Sequence, residues 1–123
     1  MAKFLFQGGY TSQSWKAQVA KPASPIDRIA PLAKACGGQV DAVYYAFGDE
    51  DIVAIVELPD AKAAATFALA VASGGAMRSF KTTPLLTVEE GTSAMKKVAD
   101  ASKHYNPPID LGLAEKARQA VKA

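Results

Sequence analysis

Ala42-Val43-Tyr44-Tyr45-Ala46-Phe47-Gly48-Asp49-Glu50-Asp51-Ile52-Val53-Ala54-Ile55-Val56-Glu57-Leu58 consists of two apolar runs joined by a short polar turn. Both runs are rich in β-branched and aromatic residues, and a proline breaks neither. That composition suits adjacent strands of one sheet, so the stretch predicts a central β-hairpin. Gly48 is the expected source of positive φ in the turn, and the acidic residues after it are expected to keep the turn in water. The second arm is apolar on both faces, which asks for cover on two sides.

Working outward, Lys3-Phe4-Leu5-Phe6-Gln7-Gly8-Gly9-Tyr10 predicts a first strand ended by glycines. Thr11 or Ser12 is placed to cap a short helix carrying Trp15 and Val19, which Pro22 interrupts. Ser24-Pro25-Ile26-Asp27 restarts a helix with a cap, a proline in its first turn and an acid near its start. Ile26, Ile29, Ala30, Ala33 and Cys36 make the expected buried stripe, and Pro31 is expected to kink this helix or delay its start. Gly37-Gly38 stops it.

Beyond the hairpin, Asp60 caps an alanine-rich helix with Ala64, Phe67, Ala68 and Val71 inward. Ala76 to Leu86 predicts a last strand, and Pro84 confines it to a sheet edge or a bulge. Thr87-Val88-Glu89-Glu90 has the spacing of a capping box that opens a helix through Met95, Val98 and Ala99. Asn106-Pro107-Pro108 is a turn, and Asp110 caps a final helix with Leu113, Ala117 and Val121 on one side.

The order is strand, helix, hairpin, helix, strand, then helices. This is the α+β, ferredoxin-like βαββαβ arrangement, an antiparallel sheet with a C-terminal helical extension. Residues 1–88 form the expected domain, and 89–123 a helical tail packed on it or on a neighbouring subunit. Such a sheet has helices on one face only. A second copy is the expected cover for the other face, so a homodimer or higher homo-oligomer is the predicted state.

With 123 residues, 50% of them hydrophobic and 21% charged, the chain is long enough for one folded domain with a real core. Fourteen Lys and Arg balance twelve Asp and Glu to a net charge of +2, with the cations scattered, so no nucleic-acid partner is expected. One cysteine excludes an internal disulfide and a multi-cysteine metal centre. No metal and no cofactor are expected. The apolar runs are too short to span a bilayer and the N-terminus lacks a leader-like core, which predicts a cytoplasmic protein without a membrane partner.

Ala46-Phe47-Gly48-Asp49-Glu50-Asp51-Ile52-Val53, Glu57-Leu58-Pro59-Asp60 and Gly75-Ala76-Met77-Arg78 with Lys81-Thr82-Thr83 resemble the small bacterial GYD-domain family, from Phe4 to about Thr87. Of that family's glycine, any residue, tyrosine, aspartate motif, Gly48 and Asp51 match, while Glu50 stands where the tyrosine would be. The resemblance implies a dimeric α/β barrel, two sheets facing each other around a cavity. It transfers no reaction and no catalytic residue.

Among chemistry-bearing residues, His104 sits in a polar helix end and reads as a solvated side chain rather than a general base. Cys36 reads as a small buried hydrophobe rather than a nucleophile. Glu57 shares a strand face with Val53 and Ile55, where a carboxylate asks for a partner. The candidate ligand-binding set is therefore Gln7, Tyr45, Glu57, Arg78 and Lys81, with Arg78 ahead of Lys81 as the partner of Glu57. The plainer alternative is that Glu57 ends its strand at the surface. Functionally these residues point to a small-molecule site in a barrel cavity. The alternatives are an assembly module without chemistry and a cofactor-independent enzyme.

Overall fold

The computed structural model describes residues 1–109, so the expected helix from Asp110 lies outside the described residues. The chain forms two compact units, Met1–Leu86 and a second beginning at Thr87.

In the first unit the elements are β1 (Ala2–Tyr10), α1 (Ser12–Ala20), α2 (Pro25–Ala35), β2 (Gln39–Tyr45), β3 (Ile52–Leu58), α3 (Ala61–Ser73) and β4 (Met77–Leu85). The sheet is antiparallel in the order β2-β3-β1-β4. This is the predicted ferredoxin-like fold, with the hairpin as β2 and β3.

Alternation along the strands decides which side is covered. On β3 the residues Ile52, Ala54, Val56 and Leu58 are buried, while Val53, Ile55 and Glu57 between them stay half-buried. Phe4 and Phe6 of β1 join the buried set, and Ala33 of α2 with Ala64 and Phe67 of α3 close over them. The Phe6 ring lies 4.6 Å from that of Phe67 and 5.7 Å from that of Phe80. Small residues on both helices let the backbones approach the sheet closely. The core is therefore one layer between a sheet face and two helices, and the other sheet face has no helix of this unit on it.

Caps act where the sequence places them. Thr11, Ser24 and Asp60 side chains accept backbone N–H bonds at the starts of α1, α2 and α3. At the end of α2, Gly37 takes φ 88° and Gly38 N–H donates to the Ala33 carbonyl, a left-handed stop that glycine adopts without strain.

Several expectations are corrected. Pro31 does not delay the start of α2, which already begins at Pro25 and carries Pro31 inside it on the exposed side. Ile26 is 46% exposed, and Leu32 instead packs against the core with Ile29 and Cys36, because the covered face of α2 runs through Pro25, Ile29, Leu32, Ala33 and Cys36 at helical spacing and Ile26 lies to one side of it. Val19 is exposed too, and α1 buries no residue. Gly48 does not take positive φ; Phe47 does, at 54°.

In the second unit, α4 (Val88–Lys96) opens on the predicted capping box. The Thr87 hydroxyl accepts the Glu90 N–H, and the Glu90 carboxylate accepts the Thr87 N–H. The Thr87 backbone N–H, helped by the Thr87 hydroxyl, holds the Glu90 carboxyl below its ordinary value. A short α5 (Val98–Ala101) and a 3-10 turn (Ser102–His104) follow, and His104 is exposed as expected. Val88, Met95 and Val98 are all more than half exposed. No helix among the described residues is long and apolar enough to cross a membrane.

Candidate functional site

The uncovered sheet face is built by register. Across β1 and β3, Leu5 faces Ile55, Gln7 faces Val53 and Lys3 faces Glu57. Across β1 and β4, Gln7 faces Lys81 and Leu5 faces Thr83. Directly opposed residues share a side, so Leu5, Val53 and Ile55 form an apolar centre with Gln7 beside it. Gln7 is half-buried, and its side-chain amide makes no hydrogen bond among the described residues.

Charged groups surround this centre in pairs. One extra residue between Val40 and Ala42 makes Asp41 a bulge in β2, and its carboxylate takes the Lys3 ammonium. That hydrogen bond and charge raise the Lys3 pKa. At the same end Glu57 accepts a bond from Gln39 Nε2 at 3.1 Å.

At the other end the hairpin turn folds back onto the sheet. Glu50 lies 2.8 Å from Lys81 Nζ and accepts a 3.1 Å bond from the Ser79 hydroxyl. The Lys81 bond holds the Glu50 carboxyl below its ordinary value against partial desolvation, and the same contact raises Lys81. Asp51 is the hub of the turn. Its Oδ2 accepts from Tyr10 N–H at 2.8 Å and from Trp15 Nε1 at 3.3 Å, and lies 3.6 Å from Arg78 Nη2. Arg78 also donates to the Asp49 carbonyl at 3.2 Å. Its guanidinium lies over Gly9, where any Cβ would come within 2.3 Å of Arg78 Cζ. Gly9 thus makes room for the cation.

The acids of the turn do not simply hydrate it. The Glu50 and Asp51 side chains are only 11% and 14% exposed, because the bases and backbone N–H groups of β1 and β4 draw them inward. Of the predicted site residues, the structure brings Gln7, Lys81 and Arg78 to one end of this face. Glu57 is at the other end. Four residues along β1 separate its partner Lys3 from Gln7, about 13 Å at strand spacing. Within one subunit, Glu57 and Arg78 therefore do not pair.

Tyr45 faces Ile52 on the helix side and belongs to a different cluster. Its ring stacks 5.6 Å from Phe47, which stacks 6.0 Å from Trp15, and Tyr10 meets Trp15 edge-on at 5.1 Å. Sequence reasoning missed Asp51 and Phe47 as organising residues. The available signal for Asp51 was its match to the motif aspartate. Cys36 is half-buried against the core, the packing role expected of it. Among the described residues no group of three or more His, Cys, Asp or Glu side chains is placed to hold a metal ion.

An antiparallel four-stranded sheet with two core helices on one face defines a ferredoxin-like α+β domain. The chain matches the GYD domain over residues 4–95 and belongs to that family. Among solved structures it is similar to the crystal structure of MtbAldR, with a TM-score of 0.48 and 14% identity over 70% of this chain and 52% of that one. The chain thus spans about half the length of that neighbour. No curated protein matches it.

Proposed function

We propose that the protein is a self-assembling binding domain in which two copies meet through the uncovered sheet face and hold a small molecule between them. The observation that carries this reading is the apolar centre of Leu5, Val53 and Ile55 on a face that no helix of its unit covers. Antiparallel sheets often show water one face, but such faces are normally polar at their centre. A second copy is the simplest cover, since twofold homodimers are the commonest oligomers and use one patch on both subunits.

The rim favours binding over acid-base chemistry. Lys81 with Glu50, Lys3 with Asp41 and Glu57 with Gln39 are already engaged, whereas Gln7, opposite Val53 on the same face, has an amide with no hydrogen bond among the described residues. An unpaired half-buried amide beside apolar side chains is the usual polar element of a ligand cavity. Native mass spectrometry of freshly purified protein and sedimentation across concentration test the reading together. The expected result is a dimer carrying a small retained mass, and a monomer for Ile55→Lys. A folded wild-type monomer at micromolar concentration would refute the interface. A dimer that holds no small molecule would reduce the role to assembly.

A further inference from the structure

On the opposite side of the sheet, between α2, α3 and the strands, lies a cavity of about 250 Å³. Phe6, Phe67, Phe80, Ile29 and Leu32 supply apolar walls, and Tyr10 and Arg28 also line it. An engineered apolar cavity of about 150 Å³ admits benzene, so this one has room for an aromatic ring with a short side chain.

Arg28 gives the cavity chemical polarity. It is exposed, so it lies at the mouth. Among the described residues it donates at 3.0 Å to Gln18 Oε1, its guanidinium also bonds the Tyr10 hydroxyl beside it, and it makes no ion pair. With Gln18 and Tyr10 engaged, the remaining donors of its planar fork are available to an incoming carboxylate. Tyr10 is only 9% exposed and its hydroxyl is a second potential donor. Both residues line the same cavity; burial raises the Tyr10 pKa, and the charge and side-chain hydrogen bond of Arg28 oppose that rise.

We infer that this cavity is a binding site for a small arylalkanoate, with the ring among Phe6, Phe67 and Phe80 and the carboxylate held by Arg28 at the mouth. The site lies wholly within one subunit and on the covered side of the sheet, so it is independent of the dimer reading above. A carboxylate on a short arm matches the arrangement because the charge stays at the opening while the ring leaves water. An alcohol of the same shape has the ring but not the charge, and acetate has the charge but not the ring.

Calorimetric titration of the full chain with 3-phenylpropionate, 3-phenylpropanol and acetate tests this. The aryl acid is expected to bind with submillimolar Kd, at least tenfold tighter than the alcohol, with acetate undetectable. Arg28→Gln, at an exposed helix position, is expected to remove that tenfold preference and leave the alcohol unchanged. Ala70→Phe, which fills the opening from exposed α3, is expected to abolish both. No binding of the acid at millimolar concentration overturns the proposal, as does equal affinity for acid and alcohol. An equal loss from Lys81→Met would put the ligand on the other sheet face and also overturn it.

Discussion

Asp51 shows how much one carboxylate can organise when backbone and side-chain donors converge on it. It joins the end of β1 through Tyr10 N–H, α1 through Trp15, and β4 through Arg78. Removing the acceptor leaves a part-buried N–H without a partner, a cost of about 1–3 kcal/mol. Asp51→Ala is therefore expected to lower stability by that amount in urea unfolding, and Asp51→Asn, which keeps an acceptor, by clearly less. Equal losses would mean that charge alone matters. Two residues earlier the turn reverses the expectation for Gly48. Gly48 has ordinary φ and open space where a Cβ would go, while Phe47 carries the strained φ of 54°. Gly48→Val is expected to change stability by under about 0.5 kcal/mol, whereas Phe47→Val, β-branched in the left-handed region, costs about 1–3 kcal/mol. The sequence marked a turn there but not which residue bears positive φ. Phe47 is held in place by its stacking on Trp15 and Tyr45, contacts that local pattern does not encode.

At the scale of elements, caps and alternation were legible because they depend on neighbours a few residues away. Thr11, Ser24, Asp60 and Thr87 all cap as read. The buried stripe of α2 was only partly legible, since Ile26 and Leu32 are both apolar and only the rotation of the helix on the sheet, with Pro25 and Ala33 buried, decides between them. Pro31 within that helix leaves the Asp27 carbonyl without its helical donor. Pro31→Ala is expected to stabilise the domain by about 1–3 kcal/mol, read as a raised thermal midpoint with unchanged cooperativity. The contact of the turn with β4 has a pH signature. Glu50 has a lowered pKa, so its contribution is complete above its ordinary value of 4.5 and is lost as pH falls through the lowered folded value. Lys81 has a raised pKa, so its contribution is complete below 10.5 and is lost as pH rises through the raised folded value. The stability difference between wild type and Glu50→Gln should thus be flat across neutral pH and shrink toward both extremes and in high salt. Parallel curves at every pH would show that the pair adds nothing in solution.

For the whole molecule, element order gave the topology, including β1 between β3 and β4. Register is a finer quantity. Glu57 and Arg78 read as one site because both belong on the same face, yet the pairing of Lys3 with Glu57 and of Gln7 with Lys81 sets them at opposite ends. A double-mutant cycle on Glu57→Gln and Arg78→Met is accordingly expected to be additive within about 0.5 kcal/mol when read on the separated subunit, such as the Ile55→Lys background. Coupling of 1 kcal/mol or more there would contradict the register.

Trp15 is the single tryptophan of the chain, and it is wired to the residues that hold the turn. Its ring lies 5.1 Å from Tyr10 and 6.3 Å from Tyr45, and its indole N–H reaches Asp51 at 3.3 Å. The molecule therefore carries its own optical gauge. Light absorbed by the two tyrosines should reappear as indole emission while α1 is docked, and that sensitised signal should vanish if the turn lifts before the core melts. Denaturation followed by tyrosine-sensitised emission and by far-ultraviolet circular dichroism separates the two events, with an earlier optical midpoint marking the turn and α1 as the first part to open.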